Sequence, residues 1–211
     1  MMRRTSAPTA THRRITSPLA LALLAAGGCG LLRSPNVQPT QFYVLTALSQ
    51  PDVPPPGRRL VIGLGPVHLP DYLNRPEMVS RVEENQLHFD QFNRWGEPLK
   101  DNFVRVLASN LDTLLHLDHV VLFPWYSNTP MDCTVVVTVL RFEPQPSGEV
   151  LLSARWGIGD GKGHALDSRD SHFTRPGGSP AETAEALSEL LAELSSEIAG
   201  ALRQLDSSTV R

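Results

Sequence analysis

Apolar residues recur along this chain with two periods, and the change from one to the other outlines the fold. Leu99, Phe103, Val106, Leu107, Asn110, Leu111, Leu114 and Leu115 recur every three or four positions, which predicts a helix over about 97–117. Pro98 is tolerated only in the first turn of a helix and so marks its start. A second stripe, Leu187, Leu190, Leu191, Leu194, Ile198, Leu202 and Leu205, predicts a terminal helix. It opens on Ser179-Pro180-Ala181-Glu182, a capping box with proline at the first helical position. Glu185, Glu189, Glu193 and Glu197 line its other side and read as a solvated face.

Runs of period two, or unbroken apolar runs, predict strands. They are Phe42–Leu45, Arg59–Gly65 (ended by Pro66), a hairpin of Met78–Glu83 and Gln86–Phe92 turning at Glu84-Asn85, Val120–Phe123, Cys133–Phe142, Val150–Ile158 and His164–Phe173. In the second hairpin arm Leu87, Phe89 and Gln91 share one face. Asp160-Gly161-Lys162-Gly163 is a tight turn, and Pro51–Gly57, with four prolines, is a loop. Short turns pair successive strands antiparallel. Two helices with one apolar stripe each must cover a sheet face. The fold class is α+β: a mainly antiparallel sheet with two amphipathic helices packed on it, in a single domain over residues 41–205 followed by a polar tail, 206–211.

The first 28 residues belong to no such element. Arg3, Arg4, Arg13 and Arg14 precede a short apolar stretch, Leu19–Ala26, then Gly27-Gly28 and Cys29. This is a secretory signal. Small residues followed by cysteine match a bacterial lipobox, in which the cysteine is acylated and begins the mature protein. Ala26 stands where lipoboxes carry leucine; the alternative is an ordinary signal peptide cleaved without acylation. Gly30 is not the aspartate of inner-membrane retention, which points to the outer membrane. Residues 29–40, with Pro35 and Pro39, form a tether.

Removing the leader changes the charge. It takes away four arginines and no acid, leaving fifteen basic against twenty-two acidic side chains. So acidic a protein does not bind nucleic acid by phosphate neutralisation, and no polybasic patch grips anionic lipid. With Cys29 acylated, Cys133 has no disulfide partner in the chain and reads as a small buried side chain in an apolar strand.

No catalytic constellation assembles. His116 and His119 lack a third metal ligand, no Gly-x-Ser-x-Gly elbow occurs, and the Gly159–Gly163 glycines lack the spacing of a phosphate loop. The sequence calls for no metal, no cofactor and no enzymatic activity. Two segments are richer than a scaffold requires: Pro66–Arg81, whose three prolines (66, 70 and 76) fix its path and which carries Tyr72, Leu73 and Arg75, and Arg94–Leu99, with Trp95 at a strand-to-helix junction. They read either as packed connections or as a protein-binding edge, because Tyr, Trp and Arg dominate interface hot spots.

These segments resemble the PqiC-type (YmbA-like) family, auxiliary lipoproteins of ABC and MCE (mammalian-cell-entry) lipid transport systems. The likeness rests on Phe42–Leu45, on Pro-Val-x-Leu-Pro-x-Tyr-Leu-x-Arg-Pro-x-hydrophobic-Val-x-Arg at Pro66–Arg81, and on Arg-Trp-x-Glu-Pro-Leu at Arg94–Leu99. It implies an outer-membrane lipoprotein facing the periplasm. Such a protein docks an MCE-domain partner, holds outer-membrane lipid through an acylated Cys29, supports envelope integrity and self-associates into a ring. Tyr72, Leu73, Arg75, Arg94 and Trp95 are the candidate interface residues. A lipid carrier holding an acyl chain between sheet and helices is the alternative.

Overall fold

The computed structural model describes residues 38–49, 60–117, 119–126 and 128–209. The signal segment, Cys29, most of the tether and the Pro51–Gly57 loop lie outside the described residues. Among the described residues, eight strands form two sheets. β1 (Gln41–Tyr43), β3 (Glu77–Glu83) and β4 (Gln86–Trp95) make one, in the order β1-β4-β3. β2 (Val61–His68), β5 (His119–Leu122), β6 (Cys133–Pro144), β7 (Glu149–Asp160) and β8 (Ala165–Pro176) make the other, in the order β5-β2-β6-β7-β8. The helices are α1 (Leu99–Leu115) and α2 (Pro180–Thr209).

The fold class is α+β, as the periodicity requires, but the single sheet becomes two. The β3–β4 hairpin takes β1 as its third strand, in parallel register from Gln41↔Asn93 to Tyr43↔Trp95. In the larger sheet the long β6-β7-β8 meander is antiparallel, whereas β2 lies parallel to both β5 and β6. β2 does not end at Pro66. It continues to His68 through a register shift between Leu64 and Val67. A bulge is where a central strand can hold a residue without an N–H. Gly65 beside it has φ +119°, and a Cβ there would stand 2.7 Å from Phe123 Cβ. Only glycine fits both conditions.

α2 lies against β6, β7 and β8 and against α1, which in turn contacts β2 and β5. The layer between is built from facing pairs on β6 and β7: Val135↔Ile158, Val137↔Trp156 and Val139↔Ala154. Leu190, Leu191, Leu194 and Ile198 of α2 are fully buried over them. The capping box forms as read: Ser179 N–H donates to Glu182 Oε2 at 2.7 Å and Glu182 N–H to Ser179 Oγ at 3.4 Å. The acidic stripe is a solvated face only in part: Glu185 and Glu189 are exposed, whereas Glu193 and Glu197 are half-buried against β8. Arg175 of β8 pairs with Glu189 and Glu193, and Ser171 donates to Glu197 at 2.6 Å while accepting the Trp156 indole N–H at 2.8 Å. Alternation turns these β8 residues toward α2, so the helix had to answer their polarity.

Two buried asparagines on α1 have a similar purpose. Asn102 Oδ1 accepts from Leu45 N–H at 2.6 Å and Asn110 Oδ1 from Leu48 N–H at 2.8 Å. Ser188 of α2 accepts from Thr46 N–H at 3.1 Å, and Asn110 Nδ2 donates to Ser195 at 3.1 Å. The stretch after β1 thus forms no ladder, yet its amides are satisfied by side chains of both helices. Asn110→Ala removes the acceptor of the half-buried Leu48 amide and should cost about 1–3 kcal/mol in urea unfolding, whereas removing an exposed polar group such as Lys100 should cost nothing measurable.

Candidate functional site

The two motif segments meet where β4 ends and α1 begins. Pro70 O accepts from Leu73 N–H at 2.9 Å, closing a single 3₁₀ turn over Asp71–Leu73. Trp95 N–H then donates to Pro76 O at 2.7 Å, which joins the first segment to the second. The turn sends its side chains two ways. Leu73 is buried, and Trp95, only 6% exposed, packs into the same core. These two hold the connection from within.

Tyr72 also points inward, toward a group the sequence reading missed. Glu143 of β6 is 0% exposed, and it accepts from Tyr72 Oη at 3.0 Å and Arg81 Nε at 3.2 Å. Arg141 Nε donates at 3.1 Å and Phe142 N–H at 2.7 Å. A buried carboxylate is tolerable only when paired and hydrogen-bonded, and here both conditions hold. Burial, then the Glu143 charge, pushes the Tyr72 hydroxyl up from 10.0 to about 12. Two residues of the first motif, Tyr72 and Arg81, therefore clamp the three-stranded sheet to β6. The sequence did hold one clue: a glutamate next to Phe142 at the end of a valine-rich strand, in a chain whose first motif carries an unexplained tyrosine and arginine.

The outward side is different. Glu77 takes Arg94 Nη2 at 3.0 Å and Arg75 Nε at 3.5 Å, so one carboxylate serves two guanidinium groups. The Arg75 guanidinium lies 3.8 Å from the centroid of the Phe89 ring, itself 37% exposed. Beside it opens a cleft of about 310 Å³ lined by Asn74, Arg75, Pro76, Trp95, Glu97 and Pro98. Stacked arginine, exposed aromatic and a proline-walled cleft are the ingredients of a protein-binding hot spot. Of the five candidates, Arg75 and Arg94 reach this surface, Trp95 forms its floor, and Tyr72 and Leu73 sit beneath it. Among the described residues no group of three His, Cys, Asp or Glu side chains could hold a metal ion.

Two outcomes follow for the clamp. Glu143→Ala leaves two arginines facing a buried void and should destabilise the fold by about 3–5 kcal/mol in chemical unfolding. Because the folded state holds the Tyr72 proton more tightly than the unfolded chain, stability falls as pH rises from 10.0 toward about 12. The difference in phenolate absorbance between the native chain and Tyr72→Phe should accordingly rise near pH 12, and nearer 10 if the clamp is absent.

Comparison with solved structures supports the fold. The chain is similar to a crystal structure of an uncharacterized protein, at 22% identity and TM-score 0.62, covering 78% of this chain and 99% of that one. It is also similar to protein XCC0632 from Xanthomonas campestris, of family DUF330, at 17% identity and TM-score 0.67, covering 80% and 99%. No curated protein matches it. A family model does, over residues 43–199, from β1 to within α2 and across both motif segments: this chain belongs to the family of ABC-type transport auxiliary lipoprotein components.

Proposed function

We propose that this protein is an outer-membrane lipoprotein facing the periplasm, and that it is a non-enzymatic docking subunit of an ABC/MCE-type system moving lipid between membranes. Family membership carries the reading, since the family is one of auxiliary lipoprotein components of ABC-type transport. The Arg75–Phe89–Arg94 surface supports it, because that surface is open and presents an arginine stacked on an aromatic ring while the rest of both motifs is spent on folding. Acylated Cys29 is the membrane anchor, an MCE-domain protein is the partner, and a ring of copies around the partner's conduit is the assembly. The carrier alternative gains no support, since the layer between sheet and helices is filled by Val137, Trp156, Leu190 and Leu194.

Affinity purification of the full-length protein from its native envelope in mild detergent tests this, with mass spectrometry of partners and amino terminus. An MCE-domain protein should co-purify, and the terminus should be a diacylated Cys29. Arg75→Glu should lose the partner while keeping the native circular dichroism and melting temperature. A terminus starting beyond Cys29, with no MCE partner, would leave the family likeness as a statement about fold alone.

A further inference from the structure

Away from the motif surface, one edge of the larger sheet carries an exposed apolar feature. β5 is an outer strand of the five-stranded sheet, and the chain leaving it is aromatic: Leu122 is 45% exposed, Phe123 52% and Tyr126 83%. Phe123 meets Trp125 edge-on, centroids 5.3 Å apart, so the tip is a preformed aromatic pair. Behind it lies a cleft of about 470 Å³ with Val67 and Val104 on its apolar wall and Lys100, Asp101 and Arg105 along its rim. Arg105 is held by Glu97, and Lys100 is exposed on the same cleft as Leu122 and Phe123. An exposed phenylalanine and tyrosine beside a half-exposed tryptophan, next to a cation, match the composition that settles at the headgroup level of a bilayer.

The chain leaving β1 is fastened at the N-terminal end of α1, where Gly96 N–H donates to Tyr43 O at 2.8 Å and Leu45 N–H to Asn102 Oδ1 at 2.6 Å. Lys100, Asp101, Val104 and Arg105, the helix residues bordering the aromatic cleft, occupy the same first turns. Gln41 is twelve residues from Cys29, a stretch that spans at most about 40 Å.

We propose that the Leu122–Tyr126 tip is the surface this domain lays on the phospholipid bilayer, with Phe123, Trp125 and Tyr126 among the headgroups and Lys100 facing lipid phosphate. The inference rests on the lipid-anchor reading for the domain's nearness to the membrane, and adds a contact that the anchor alone does not supply.

Tryptophan emission reads it directly. Trp95 and Trp156 are 6% and 1% exposed, which leaves Trp125 as the tryptophan a lipid can reach. The chain from residue 29 onward would be held by an N-terminal histidine tag on vesicles of phosphatidylethanolamine, phosphatidylglycerol and nickel-chelating lipid, so that attachment does not depend on acylation. Lipid brominated near the headgroup should quench emission relative to the same vesicles without bromine. Trp125→Phe should lose that quenching, and Tyr126→Ser, at a side chain too exposed to matter for folding, should weaken it. Equal emission in brominated and plain vesicles would overturn the proposal, as would quenching that survives Trp125→Phe. Emission indifferent to brominated lipid but altered by envelope proteins would assign the tip to a protein partner and overturn it equally. Failure here leaves the acylation of Cys29 to its own test by mass spectrometry.

Discussion

The buried carboxylate of Glu143 is the constraint on which the arrangement of the two sheets rests. A charge removed from water inside β6 must be met by donors of fixed position. Tyr72, Arg81, Arg141 and the Phe142 amide meet it. Two of those donors belong to the segment that carries the small sheet, so satisfying the charge also sets where that sheet lies. The Arg75 cleft is a consequence: it opens one residue beyond a turn pinned by Tyr72 below and by Leu73 in the core. A docking surface that must present a stacked arginine in one orientation benefits from such a foundation.

Polar groups pin the molecule elsewhere in the same manner. Asn102 and Asn110 fasten the chain leaving β1 into the groove between the helices, with Ser188 and Ser195 on the far side. Arg175 and Ser171 fasten β8 to α2. The charges that β8 turns inward also make it a poor template for an added strand, which protects the long outer edge of the sheet. β5, the opposite edge, is short and ends in exposed aromatics, so the two edges of one sheet are managed by different means.

Much of this was legible in the sequence, and the exceptions have a common cause. Stripes at helical spacing located both helices, and the Ser179–Glu182 box located the start of α2 to the residue. Alternation located the strands, and their turns gave the meander. Periodicity reports which side of an element is apolar, though, not what lies across from it. It therefore could not divide the strands between two sheets, nor show that Glu193 and Glu197 of α2 meet Arg175 and Ser171 of β8. Proline at 66 looked like the end of a strand because a bulge cannot be read without its partner strand. Asn102 fell outside the apolar stripe for the reason it matters: its carbonyl serves a backbone amide far away in the chain. The motif residues were recognised as unusual, but only the position of Glu143 separates those that build the surface from those that form it.

The central claim is that the open side of the motif segments is a protein-docking surface. Asn74 is exposed at the mouth of the Arg75 cleft. A photo-crosslinking amino acid in its place, activated in intact cells, would capture whatever lies against that cleft, and mass spectrometry would identify it. The account predicts an adduct with an MCE-domain protein, abolished by Arg75→Glu in the same chain. A folded, membrane-attached protein that forms no protein adduct from this position would contradict it.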